Sequence, residues 1–382
     1  MAEVDWHRCK FLESTENLKP LVKQRFGREP SSSIAREIAA CLQQGRLFYE
    51  AASTSPLEIR PLQQFYGMVG FAKALIVASR LSSLATLRPT HGIKDISAGN
   101  ARIAELKLQI ERSGRFQEFN DVVAPLTRLG LVDMVNKSRA IYFPSATSEV
   151  LQGIELSLRE ILSRIPRLES LYRQTFGEEA STDLISLETG SQEADFRIRV
   201  DDQELFADRE SLRRMVLRWR ERFPFLRTWR LHSAQYAWGN SLIYFRNVRN
   251  LDIDEFSKAY LREQNGAFQE LALAGDINEP FSLKDGFCPV AGGYSGIIYA
   301  IAPVRDLYFS EFSMHYLALF LLSSLMRYRP QTWTHAISRS VVAGEPADDR
   351  ALSLIERFLR LNETEIPEFV VQILNPHEDA FA

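Results

Sequence analysis

Apolar residues recur at helical spacing towards both ends of the chain. Behind Ser31–Ser33, which offer N-cap hydroxyls, Ile34, Ile38, Cys41, Leu42, Gly45, Phe48 and Tyr49 keep a 3.6-residue rhythm and predict a helix over 31–50. Leu62, Phe65, Tyr66, Val69, Lys73, Ile76 and Arg80 mark one face of a second helix, on which Gly67 and Gly70 let another backbone approach closely. Between the two, Ser55 and Glu58 have capping-box spacing, Pro56 suits a first helical position, and Pro61 fits a first turn. Residues 148–176 predict a helix interrupted at Pro166. Residues 209–223 predict an amphipathic helix with Leu212, Val216, Trp219 and Phe223 on its core side. Glu311–Arg327 is apolar on nearly all sides, which predicts a helix buried at the centre of the fold and ended by Pro330. Ala351–Leu361 predicts a further amphipathic helix.

The middle of the chain changes period. Phe196–Val200 alternates as a strand does, and Leu226–Arg230, Tyr236–Val248 and Gly296–Pro303 are rich in aromatic and branched residues. Ile103–Ile110 fits strand or helix equally, and 119–135, broken by Pro125, fits a short helix or small subregion. The expected fold is α+β and mainly α-helical, with N- and C-terminal helices packed together around an inserted β-rich middle region. The expected parts are an N-terminal helical part over 1–95, a middle region over 96–290, and a strand with C-terminal helices over 291–382. No repeat of fixed period and no low-complexity linker divides them.

Composition adds limits. With 382 residues, 45% hydrophobic and 25% charged, the chain can bury a real core. A formal net charge of −3 argues against a generalised nucleic-acid or membrane-surface binder but leaves room for a local basic patch. Cys9, Cys41 and Cys288 are isolated, which suggests neither zinc nor a disulfide framework and fits a reducing cytosol. Met1–Lys10 lacks the apolar core of a signal peptide, and the longest apolar run, Met314–Met326, is short of the about 20 residues of a membrane span. A cytoplasmic protein without metal or cofactor is expected.

Two stretches carry a family resemblance. Phe48-Tyr49-Glu50-Ala51-Ala52-Ser53-Thr54-Ser55-Pro56-Leu57, then Pro61 and Phe65-Tyr66-Gly67-Met68, resemble the N-terminal signature of YaaC-like proteins. Thr90-His91-Gly92 resembles the family's His-Gly element. Met314-His315-Tyr316-Leu317, with Arg327-Tyr328, Pro330 and Trp333, resembles its C-terminal signature. The resemblance is strong near both ends and weak between roughly 100 and 290. It implies a partner-binding protein without an assigned activity. Some relatives belong to bacterial anti-phage defence pairs, including a jumbo-phage killer system, in which a YaaC-like member acts as sensor beside a separate effector. On that footing the expected partners are a co-encoded effector and a phage-derived component, and self-association stays open.

The motif residues also admit plain structural readings. Ser53, Thr54 and Pro56 suit capping chemistry between helices, Tyr66 and Gly67 a tight helix contact, and His91 lacks a nearby carboxylate or cysteine in sequence. Arg329 and His335, separated by five residues, resemble the Arg…His spacing of HEPN-type ribonucleases, where histidine works in acid–base chemistry and arginine holds phosphate; Pro330 directly after Arg329 departs from that motif. Arg209, Arg213, Arg214, Arg218, Arg220, Arg222, Arg227 and Arg230 crowd 209–230, and Arg214, Arg218 and Arg222 share a helix face. That ridge suits an anionic membrane surface or nucleic acid, or else a salt-bridged solvated face. Trp229, Tyr236, Trp238, Tyr244 and Phe245 suit either an aromatic recognition surface or sheet core. No GxSxG, Walker A loop or HExxH is present, and Gly292-Gly293-Tyr294-Ser295-Gly296 lacks the GxGxxG form. The expectation is a non-enzymatic recognition protein, with the ribonuclease and the anionic-surface binder as its competitors.

Overall fold

A computed structural model describes residues 6–99, 101–126, 128–132, 138–142, 145–189, 196–249, 259–264, 267–273, 290–291, 297–337 and 351–375. In chain order the elements are helices α1 (Trp6–Leu12), α2 (Thr15–Phe26), α3 (Ser32–Thr54) and α4 (Arg60–Arg80); strands β1 (Ile93–Asp95) and β2 (Lys107–Ile110); helix α5 (Arg115–Val123); and strands β3 (Arg128–Val132) and β4 (Ser138–Tyr142). Next come α6 (Ser148–Leu151), β5 (Glu155–Ser157), α7 (Leu158–Leu162), α8 (Glu169–Phe176), β6 (Thr182–Thr189), β7 (Phe196–Asp202) and α9 (Arg209–Arg222). The series ends with β8 (Trp229–Ala237), β9 (Asn240–Arg249), β10 (Ala259–Gln264), β11 (Ala267–Leu273), β12 (Val290–Ala291), β13 (Ile297–Ile301), α10 (Glu311–Tyr328), α11 (Pro330–Ile337) and α12 (Leu352–Leu374). The fold is α+β and mainly helical, with β-rich sequence inserted between N- and C-terminal helices that belong together. The chain forms two compact units, one of 1–126, 146–180 and 309–382, the other of 127–145 and 181–308.

The helical unit is built around α4 and α10, each buried on nearly every side. Helix α4 packs on α3, α10, α12 and α5. Its closest approach is to α3, where a Cβ on Gly70 would lie 2.8 Å from the Gly45 nitrogen and one on Gly67 2.5 Å from the Tyr49 ring. Glycine here lets two backbones meet, and no larger residue fits without moving one of them. A three-stranded antiparallel sheet, β1-β2-β5, belongs to this unit.

The second unit holds an eight-stranded antiparallel sheet, in the order β10-β11-β8-β9-β7-β6-β13-β12, and the β3–β4 pair. Helix α9 buries Leu212, Met215, Val216 and Trp219 in a core with Ile198, Val200, Trp229, Leu231, Ile243 and Phe245. The apolar side of the helix and the inward positions of the strands make one hydrophobic layer, which is what an amphipathic helix beside alternating strands must do.

Several local expectations are corrected. Helix α3 runs on to Thr54 and Ser55 closes it, so the Ser53–Pro56 run ends one helix before α4 begins at Arg60. Ser53 Oγ donates to the Glu50 carbonyl at 2.7 Å and Ser55 Oγ to the Ala51 carbonyl at 2.7 Å, so these hydroxyls serve a C-terminus where capping-box spacing suggested an N-terminus. Pro61 does lie in a first turn. Residues 148–176 are divided into α6, β5, α7 and α8, because Leu156 pairs with Leu108 and draws this stretch into the small sheet. Residues 224–228 form a 3-10 turn before β8, and 236–248 contains a hairpin turn at Trp238–Gly239. Pro330 begins α11 as well as ending α10.

Candidate functional site

The family-motif residues sit in the helical unit, where segments far apart in sequence meet around Phe65. This ring is fully buried on α4 and lies 5.3 Å from the His91 ring, 5.7 Å from Tyr316 and 6.0 Å from Phe320, centroid to centroid. The Arg327 guanidinium, from the last turn of α10, lies 5.9 Å from the Phe65 centroid and 5.0 Å from that of Tyr328. Such stacking positions a cation without neutralising it. Tyr66 packs on Phe48 and is 38% exposed; Tyr328 is 72% exposed. Residues of the N-terminal signature, the His-Gly element and the C-terminal signature therefore meet around the buried Phe65 ring.

The backbone of the 90–92 loop fixes His91. The carbonyls of Thr90 and His91 accept from the amides of Arg115 and Phe116, and that of Gly92 accepts from the Glu111 amide and from Gln117 Nε2 at 2.8 Å. The first amides of α5 are thereby satisfied by this loop. Gly92 has φ +73°, and a Cβ on Gly114 would lie 2.3 Å from the Gly92 Cα, so the glycine is needed for both conformation and contact.

Arg115 enters the same place from the start of α5 and has no counterpart among the motif residues. Its Nη2 donates to the Arg88 carbonyl at 2.8 Å, while its Nε is buried without a partner. Arg327 Nε donates to Ser323 of its own helix at 3.2 Å. Among the described residues, neither Arg115 nor Arg327 has a carboxylate within ion-pair distance. Burial pushes the His91 imidazole below its usual value, and Arg327 and then Arg115 push it further, so it is neutral at pH 7. Its Nδ1 is buried and has no partner. The arrangement can hold an anion or an acidic surface; it presents no nucleophile paired with a base.

The other motif residues have structural partners. Trp333 is buried and its Nε1 donates to the Glu58 carbonyl at 2.9 Å, holding α11 to the turn before α4. A polar chain that the sequence did not reveal lies inside the helices. Tyr49 Oη donates to Asn362 Oδ1 at 2.7 Å, Asn362 Nδ2 lies 3.0 Å from His315 Nδ1, and all three side chains are fully buried.

Arg329 Nη1 and Nη2 donate to the carbonyls of Ala98 at 2.9 Å and Ser97 at 3.0 Å, which ties that guanidinium to the loop after β1. His335 lies on α11, and its side chain is outside the described residues. Of the arginine ridge, Arg218 pairs with Asp202 and Glu204, both at 2.6 Å, and Arg222 pairs with Asp183 at 2.6 Å. Arg214 is exposed. Trp229 and Phe245 are buried core, Tyr236 packs against that core, and Trp238 is 88% exposed at the hairpin tip. The glycines at 292–296 and Cys288 lie outside the described residues.

Among the described residues no three metal-ligating side chains cluster, and no helix is long and apolar enough to cross a membrane. No curated protein and no solved structure gives a significant match. A family model described as YaaC-like Protein matches residues 10–374, which includes the middle region where the signatures fade. With the match running through nearly all of the sequence, the chain belongs to the YaaC-like family.

Proposed function

We propose that this protein works by recognition, with Tyr66, His91, Arg327 and Tyr328 as its contact face. The observation that carries this reading is the meeting of three separate family signatures around Phe65, beside the exposed Tyr66 and Tyr328 rings and beside Arg327, which among the described residues has no carboxylate within ion-pair distance. Aromatic and arginine side chains supply most of the binding energy at recognition surfaces. In this reading the protein is a sensor of phage infection that binds a phage-derived component and engages a co-encoded effector in the cytoplasm, a role that rests on the resemblance to defence-pair relatives alone.

Two observations weigh against the competitors. Arg329 already serves two backbone carbonyls, which disfavours its holding a scissile phosphate in a ribonuclease with His335. Arg218 pairs with Asp202 and Glu204 and Arg222 with Asp183, which reduces the ridge available to an anionic membrane or nucleic acid. The test is capture of partners by the tagged full-length protein from resting and phage-infected cells. A specific partner lost on replacing Tyr66 and Tyr328 by alanine supports recognition through this face. RNA cleavage by the purified protein, abolished in His335→Ala, would replace it with the ribonuclease.

A further inference from the structure

The large sheet of the second unit has two faces, and α9 covers one of them. Ile198, Val200, Leu231, Ile243 and Phe245 point towards the helix and are buried with it. Their neighbours along each strand point the other way, because successive strand side chains alternate. This opposite face reaches solvent: Leu184 on β6 is 44% exposed, and so is the Asp201 side chain on β7.

The strand register puts three arginines side by side on that face. Arg197 on β7 stands directly opposite Arg246 on β9, and Arg246 stands directly opposite Arg230 on β8. Directly opposed residues of antiparallel strands keep their Cβ atoms about 5 Å apart, so the three side chains leave the backbone within about 10 Å of one another. Arg199 follows two residues after Arg197 and stands opposite Tyr244 of β9. One row is therefore Arg197-Arg246-Arg230, and the next holds Arg199 and Tyr244. The β8–β9 register shifts on both sides of Arg230, between Trp229 and Arg230 and again between Leu231 and Ser233, where His232 is the extra residue. Bulges of this kind re-aim side chains and are common beside binding sites.

Like charges set directly opposite one another weaken a sheet. Glu188 stands opposite Arg197 in the register of β6 and β7, and Asp201 pairs with Arg199 at 3.0 Å, so two acids stand against four arginines in these rows. The strands thus gather an excess of positive charge where it costs stability, which is the mark of a site kept for a ligand. The cations form a line across three strands of an open sheet, which suits an extended polyanion. Guanidinium groups hold phosphate oxygens bidentately. Tyr244 Oη accepts from Gln235 Nε2 at 3.0 Å, which holds the ring in the row beside the arginines. An aromatic ring next to a line of cations is the arrangement that binds single strands, whose bases are free to stack. A lipid surface fits less well: Arg197 and Arg230 are half-buried and Arg246 is 8% exposed, so only a flexible strand can follow the row.

We propose that Arg197, Arg230 and Arg199, with the charge of Arg246 between them and Tyr244 beside them, bind single-stranded nucleic acid on the sheet face opposite α9. This surface shares no residue with the face around Phe65, and none with Arg214, Arg218 and Arg222 of α9.

The experiment is fluorescence anisotropy of a labelled oligouridylate of about twelve nucleotides with the full-length protein, beside a duplex of the same length and with polyglutamate as competitor. The single strand binds more tightly than the duplex, and its affinity falls about tenfold or more between about 50 and about 200 mM salt. Arg197→Gln/Arg230→Gln weakens it about tenfold or more and lowers the slope of log affinity against log salt by about 1.4. Tyr244→Leu weakens binding and leaves that slope unchanged. Arg213→Gln/Arg214→Gln, on the exposed side of α9, binds as the parent does. With like charges removed, the free Arg197→Gln/Arg230→Gln protein melts no lower than the parent. The proposal is overturned if the oligouridylate does not bind at low salt, if the duplex or polyglutamate binds as tightly, or if the Arg197/Arg230 variant binds as the parent does. A lower melting temperature of that variant also overturns it, because the arginines then hold the sheet together. Binding lost in Arg213→Gln/Arg214→Gln overturns it in favour of the helix.

Discussion

The hydroxyl of Tyr49 donates to Asn362 Oδ1 at 2.7 Å, joining α3 to α12 across most of the sequence, and neither side chain reaches solvent. Burial pushes the Tyr49 phenol well above its usual value, so it remains a donor at every physiological pH. Tyr49→Phe strands an amide oxygen in the core and costs about 1–3 kcal/mol. Asn362→Leu in that background restores part of the loss, so a double-mutant cycle by urea unfolding shows coupling; strict additivity contradicts the bond.

The α3–α4 crossing gives a second prediction. Gly70→Ala sets a methyl group 2.8 Å from the Gly45 nitrogen, where only backbone can yield. Overpacking of this kind costs about 1–3 kcal/mol. Gly99→Ala meets nothing within 4 Å and serves as the control. Thermal melts separate the two, and equal melting temperatures mean that the helices are further apart than described.

How far the sequence revealed this arrangement differs by element. Gly67 and Gly70 on an otherwise apolar helix pointed to a close contact because nothing else explains two small residues there. The all-round apolar character of α10 likewise pointed to its central place. The cluster around Phe65 was half legible: His91, Tyr66, Arg327 and Tyr328 stood out through the family signatures, whereas Arg115 lies in an ordinary polar stretch and is recruited only because the 90–92 loop caps α5. The polar chain through Asn362 and His315 was hidden, since a single buried polar residue in an amphipathic helix leaves no periodic mark. The arginine ridge looked like a binding surface because its carboxylates, Asp183, Asp202 and Glu204, are distant in sequence or on strands.

Asp202 anchors α9 to the sheet of the second unit. Its Oδ2 accepts from Arg218 Nη2 at 2.6 Å and from Trp219 Nε1 at 2.7 Å. Asp202→Ala leaves the buried indole N–H without an acceptor and costs about 2–3 kcal/mol. Arg218→Ala costs less, on the order of 1 kcal/mol, because that side chain is half exposed. Chemical unfolding of the two variants checks the order, and a larger loss in Arg218→Ala reverses the argument.

The buried thiols set an alkaline limit. Burial is the main cause raising Cys9 to about 12 and Cys41 to about 11. Above pH 9 the unfolded chain releases protons that the folded chain keeps, so stability falls as pH rises towards these values, by about 1.4 kcal/mol per pH unit and thiol. In a Cys288→Ser variant, the urea midpoint drops between pH 8.5 and 10.5, and both remaining thiols resist alkylation at pH 8 until the chain unfolds. Rapid labelling of the folded protein contradicts their burial.

The central claim is that the signatures meet to form a recognition face, and comparative partner capture tests it most directly. Tagged parent and Tyr66→Ala/Tyr328→Ala proteins, shown to melt alike, are recovered from resting and phage-infected cells and their partners identified by mass spectrometry. A partner enriched with the parent and lost with the double variant is the expected result. The same partners at the same yield from both proteins would contradict it.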